Sequence, residues 1–230
     1  MADNFKIKWD ETGKRLYETG TDRGVLYPQA QDGTYPKGVA WNGLTGVTES
    51  PSGADPNDIY ADNIKYLSIR AAEDFGATVT CYTYPDEWLQ CDGSAEVIPG
   101  VTIGQQTRLP FGMSFRSILG NDVKSNDYGY KLHLIYNATA SPSERAYATV
   151  NDSPEAIEFS YELTTTPIGI NGHKPIASMT IDSTKVDAAK LAALEAILYG
   201  TGDTDARLPL PDEVISILGG TSAPSEAVSG

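Results

Sequence analysis

Residues 108–116 read Arg-Leu-Pro-Phe-Gly-Met-Ser-Phe-Arg, and their alternation decides the fold class. Leu109, Phe111, Met113 and Phe115 fall on one face of an extended chain, while Arg108, Pro110, Gly112, Ser114 and Arg116 fall on the other. Successive side chains of a strand point to opposite sides, whereas a helix would spread the same apolar residues around its circumference. The stretch reads as a half-buried strand with a small or charged outer face. Pro110 cannot donate to a ladder, which places the start of the strand at a sheet edge.

The same period extends outward in both directions. Residues 64–70 and 77–84 read as strands flanking a short polar connection, 71–76. Tyr130, Leu132, Leu134 and Tyr136 alternate with Lys131 and His133 after the turn-rich stretch 120–129, read as a long hairpin loop. Ile157, Phe159, Tyr161 and Leu163 alternate with Glu158, Ser160, Glu162 and Thr164, giving an acidic, hydroxylated outer face. Pro85 opens a brief turn or helical loop through Cys91 that Asp92-Gly93 ends. One helix is well signalled at 185–199, with Thr184 as cap, Asp187 at the third helical position and Gly200 at the end. Its stripe of Val186, Leu191, Leu194, Ile197 and Leu198 must lie on a sheet, since nothing else in the chain can receive it. Residues 211–218 form a second, weaker helix, and 219–230 read as a flexible tail.

The chain has 230 residues, 40% of them hydrophobic, enough for a proper core. With 31 acidic and 17 basic side chains its formal charge is -14, which argues against binding nucleic acid through phosphates. No stretch has the length of a membrane span or a signal-peptide core, so the expectation is a soluble protein made in a cytosol, with no membrane partner. Cys81 and Cys91 are the only cysteines and read as inert thiols.

Residues 20–60 carry seven glycines and four prolines, a density that breaks regular helices. Tyr35, Val39, Trp41 and Leu44 stand among them, and disordered linkers are poor in such residues. The organisation read from the sequence is therefore an N-terminal segment (1–20), an extended loop arm with short strand elements (20–60), a β-sandwich or barrel domain (61–218) and the tail. The arm either meanders over its own domain or docks on a neighbouring copy, with Tyr35, Val39, Trp41 and Leu44 as its contact residues.

Chemistry-bearing motifs are missing. His133 and His173 fit no zinc signature, and no nucleophile elbow, P-loop or dinucleotide fingerprint occurs. Asp55, Asn57, Asp58, Asp62 and Asn63 crowd one stretch without the spacing or the glycine of a calcium loop. The reading is that there is no catalytic, cofactor or metal site. A binding module of another kind, carbohydrate-binding or adhesive, would use Trp41, Trp88 and the 13 tyrosines as stacking faces.

Several stretches, taken together, carry a resemblance: 38–69 (GVAWNGLTGVTESPSGADPNDIYADNIKYLSI), 83–93 (TYPDEWLQCDG), 104–117 (GQQTRLPFGMSFRS) and 128–168, which opens YGYKLHLIYNATASPSERAYATVNDS. In order and over roughly residues 20–200, they resemble the major tail tube proteins of long-tailed, non-contractile bacteriophages (siphophages), of the type found in phages of Gram-positive hosts. The resemblance implies a mainly β, tail-tube-type sandwich or barrel with one packed helix and long loop arms. It further implies that copies join into rings, usually of six, which stack into a hollow tube in the virion after assembly in the host cytoplasm. The implied partners are further copies of the chain, a tape measure protein, and terminator and distal tail proteins, with double-stranded DNA passing through without tight binding. Six copies at -14 place about -84 on a ring, so an acidic lumen would repel phosphates at Debye-length range. Glu158 and Glu162 are the lumen-facing candidates, although alternation alone leaves open which face points inward.

Overall fold

The computed structural model describes residues 7–219, apart from 54, 151, 153 and 154. The architecture is mainly β. In chain order the strands are β1 (Leu16–Pro28), β2 (Val39–Ala40), β3 (Leu44–Glu49), β4 (Ser52–Gly53), β5 (Pro56–Ala61), β6 (Ile64–Arg70), β7 (Glu73–Asp74) and β8 (Gly76–Cys81), then β9 (Ala95–Ile98), β10 (Val101–Ile103), β11 (Phe111–Asn121), β12 (Ser125–Ala140), β13 (Phe159–Thr165) and β14 (Ser178–Asp182). The helices are α1 (Trp88–Asp92), α2 (Ala188–Tyr199) and α3 (Pro211–Leu218).

Eight strands form one antiparallel sheet in the order β2-β1-β11-β12-β13-β8-β3, with β14 pairing along the middle of β12, from Lys131 to Ile135. The far strand, β3, comes back against β1, and the Trp41 amide donates to the Gly24 carbonyl at 2.8 Å. The sheet therefore curls around an interior. Three two-stranded ladders, β4-β7, β5-β6 and β9-β10, stand apart from it.

Alternation along β1, β11 and β12 divides the apolar residues between two cores, one on each side of the sheet. On one side Leu26, Met113, Phe115 and Ile135 join Trp41, Val79, Trp88 and Tyr161 inside the curl. On the other, Val25, Tyr27, Leu132, Leu134 and Tyr136 meet Leu191, Leu194 and Leu198 of α2 and Val214 of α3. The helical stripe thus lies on a sheet, as the sequence required.

Several sequence expectations need correction. Strand β11 is central, between β1 and β12, and both its faces are buried. Its second face reads as small because space is short there: a Cβ on Gly112 would lie 2.3 Å from Leu208 Cδ2, and Ser114 Oγ is 3.1 Å from the Tyr27 hydroxyl. Residues 120–129 form no long loop, because β11 and β12 continue into it as far as the pair Asn121 and Ser125. Strand β6 is not half-buried: it pairs with β5 and is exposed along its whole length. Asp187, not Thr184, caps α2, with one carboxylate oxygen accepting from the Ala189 and Lys190 amides at 3.0 and 3.1 Å. Thr184 belongs to the preceding turn, where its amide and hydroxyl both donate to Asp182. Strands β1 and β3, from the first 60 residues, pair with β11 and β8 in the large sheet. The stretch 220–230 lies outside the described residues. Among the described residues no helix is long and apolar enough to cross a membrane.

Candidate functional site: exposed hairpins and the outer sheet face

The curl and its helices bury most of the large apolar side chains, which makes the exceptions informative. Strands β5 and β6 form a hairpin turned by Asp62 and Asn63, both with positive φ (51° and 61°), the conformation that a tight two-residue hairpin turn demands. Along it stand Tyr60 and Tyr66, each 68% exposed, with Ile64, Ile69, Ile59 and Leu67 also open to solvent. Tyr66 and Leu67 are consecutive in one strand and so point to opposite faces; both faces of the hairpin are apolar and uncovered. A second hairpin, β9-β10, repeats the arrangement on a smaller scale with Val97, Ile98, Val101 and Ile103. A lone two-stranded ribbon is marginal in water, and exposed apolar patches on this scale mark interaction surfaces.

Of the five oxygen-bearing residues considered for calcium, Asn57, Asp58, Asp62 and Asn63 lie in the first of these hairpins and Asp55 just precedes it. Asp58 pairs with Lys65 at 2.7 Å, which lowers its carboxyl from the usual range. Among the described residues no group of three or more acidic, histidine or cysteine side chains is arranged for a metal.

The proposed contact residues of the arm lie elsewhere. Tyr35 and Trp41 are buried in the chain's own cores, Tyr35 beside Tyr136 and Trp41 against Trp88, with the ring centres 4.7 Å apart and the planes tilted by 52°. The Tyr35 hydroxyl accepts from the Asn137 amide at 2.9 Å, and the Trp41 indole donates to the Thr83 carbonyl at 3.0 Å. Val39 and Leu44 pack partly buried against the core inside the curl. Tyr35 and Trp41 are therefore taken up by the chain's own cores, whereas the exposed apolar residues lie on the hairpin 56–70. Trp88 is likewise fully buried, so neither it nor Trp41 offers a stacking face to a sugar.

Glu158 and Glu162 stand on the solvent side of the large sheet, opposite Tyr161 and Leu163. Glu158 accepts from the Thr45 hydroxyl, and Glu162 lines a cavity of about 580 Å³ with Asp74 and Ser50. His133 stacks on Phe115 with the rings 4.6 Å apart and 3° from parallel, and its Nε2 lies 2.9 Å from Ser117 Oγ. Burial lowers its pKa, while Glu49 pulls in the opposite direction. Cys81 and Cys91 are buried free thiols; burial raises the first and pushes the second up to about 12, so both stay protonated at neutral pH.

No family model matches the chain, and no curated protein does. Among solved structures it is similar to a chain of the sheath–tube complex of the PVC extracellular contractile injection system in its extended state (12% identity, 70% of this chain and 88% of that chain, TM-score 0.31). It is also similar to the tube-terminating cap of the anti-feeding prophage (13% identity, 79% and 99%, TM-score 0.33). A third is the PVC sheath/tube terminator in the extended state (11% identity, 76% and 99%, TM-score 0.29). These values assign no family.

Sequence reasoning missed the 56–70 hairpin, although its signal was present. Ile59, Tyr60, Ile64, Tyr66, Leu67 and Ile69 form two short apolar runs around Asp62-Asn63, the pattern of a tight hairpin. Reading 64–70 as a strand while leaving 56–61 in the loop arm concealed it.

Proposed function

We propose that this chain is a structural subunit of a phage-tail-type tube, the major tail tube protein of a siphophage, which polymerises with copies of itself into stacked rings. The observation that carries the reading is the β5-β6 hairpin: a projecting ribbon with uncovered tyrosines and aliphatics on both faces. Such a ribbon has no use on a free monomer, but it is stabilised once a second copy covers it. The sequence resemblance to tail tube proteins supplies the architecture for that contact: rings, hexameric in the usual case, stacked around a tape measure protein and closed by terminator and distal tail proteins. The acidic outer face with Glu158 and Glu162, in a chain of charge -14, suits a lumen along which DNA slides into the host without being held. The role needs no catalysis, cofactor or membrane, and its place is the virion tail after assembly in the host cytoplasm.

The test is electron microscopy of particles from cells expressing the full gene neighbourhood, with the chain tagged. Stacked rings with an open channel, built from this chain, support the proposal. Tubes built from another polypeptide would end it.

A further inference from the structure

A cavity lies beside the base of the β9-β10 hairpin, where Ser94 and Gly104 line it. It measures about 640 Å³ and is lined by Asp92, Ser94, Gln106, Arg108, Ser143, Arg145 and Tyr161, among others. Two arginines face it against a single carboxylate. Arg145 is committed, because it pairs with Asp92 and its guanidinium sits 5.7 Å from the ring centre of Tyr84 and 5.6 Å from that of Tyr161. Arg108 is not committed. It makes no ion pair among the described residues, and its Nε is buried without an acceptor, as is the Tyr161 hydroxyl. Its side chain lies against the backbone of Gly93, where a Cβ would come within 3.3 Å of the guanidinium carbon.

A guanidinium held against a wall, with its acceptor missing, is half of a charge-assisted pair. The cavity is far larger than one small anion and fits a peptide segment. A second copy of the chain carries 31 acidic side chains against 17 basic ones, so it offers the carboxylate that a pocket with two arginines and one carboxylate is short of. We propose that this cavity receives an acidic side chain from a second copy of this chain, with Arg108 as its positioning cation and Arg145, braced by Asp92, as the fixed wall. The inference rests on the self-assembly reading and adds a polar, direction-setting contact to the apolar one made by the hairpin.

The test co-expresses wild-type chain and a tagged Arg108→Gln copy with the full gene neighbourhood, and compares their ratio in particles with their ratio in the soluble pool by mass spectrometry. Losing the cation opposite a desolvated carboxylate lowers incorporation by roughly tenfold or more, while the melting temperature of the soluble variant stays near that of wild type. Arg108→Lys keeps the charge, recovers most of the incorporation, and supplies an amine that carbodiimide links to an Asp or Glu peptide of a neighbouring copy in isotope-mixed particles. That cross-link carries the test if Arg108→Gln fails to fold. Equal incorporation of Arg108→Gln, or links confined to one chain, overturns the pocket and leaves self-assembly standing; particles lacking the chain altogether overturn both. Retention of glutarate by the soluble wild-type chain, with no link between copies, assigns the cavity to a free anion and overturns the second-copy occupant.

Discussion

Replacing Tyr60 and Tyr66 together by threonine separates assembly from folding. Each tyrosine is 68% exposed in the isolated chain, so of roughly 200 Å² per side chain about 140 Å² remains to be covered. At about 25 cal/mol per Å² that is worth about 3.5 kcal/mol per tyrosine on complete burial, and ordering the side chain returns about 1 kcal/mol. The pair therefore contributes about 5 kcal/mol to an assembled interface, or between three and four orders of magnitude in dissociation constant, roughly. Threonine keeps the strand preference, and nothing in the chain's own cores touches these positions, so monomer stability changes by no more than about 0.5 kcal/mol. The assay pairs urea unfolding of the soluble chain with particle yield and incorporation by electron microscopy and mass spectrometry. Normal folding with assembly abolished is the expected result. A double variant that enters particles as readily as wild type refutes the role given to the hairpin, and one that unfolds refutes its independence from the core.

Three further outcomes follow from the packing and the charges. Gly112→Ala destabilises by about 1–3 kcal/mol because its Cβ meets Leu208 Cδ2 at 2.3 Å, Leu208→Ala alone costs about 2–5 kcal/mol, and the double variant in chemical denaturation loses less than the sum by at least about 0.5 kcal/mol; strict additivity would contradict the close approach. Asp22 receives two hydrogen bonds from Arg116, at 2.7 and 2.6 Å, and the Arg116 contact holds its carboxyl below the usual range. Its contribution is complete above the unfolded-state value of about 3.9 and fades as pH falls through the lower folded value, so the stability gap between wild type and Asp22→Asn closes in strongly acidic urea titrations, and a gap independent of pH counts against the pair. Reversing Glu158 and Glu162 to lysine slows DNA ejection from particles if these residues line the channel, whereas unchanged ejection assigns them to the exterior.

The period-two runs were legible because one clear rule governs them: Phe111, Met113, Phe115, Tyr161 and Leu163 must all reach a single interior, and alternation reports that directly. Helix α2 was legible for the same reason, through its apolar stripe. What alternation cannot report is a strand covered on both faces, so the burial of Gly112 and Ser114 beneath Leu208 and Tyr27 was hidden; small size looked like exposure when it was tight packing. The glycine-rich stretch 20–60 misled in the opposite sense. Gly24 and Gly38 read as chain-breaking, yet a Cβ at either would press on Leu44 or Tyr27, so they are small because strands β1, β2 and β3 run close together. Hydrophobic residues in a Gly/Pro-rich segment therefore had two physical explanations, a neighbour's surface and the chain's own core, and composition does not choose between them. Burial chooses: Tyr35 and Trp41 are spent on the monomer, whereas Tyr60 and Tyr66 are not. The same criterion distinguishes the two arginines of the large cavity, since Arg145 has its carboxylate and Arg108 does not. Among the described residues, Tyr60, Tyr66 and Arg108 are side chains that folding leaves open for a neighbour, and each can be altered singly without touching the core.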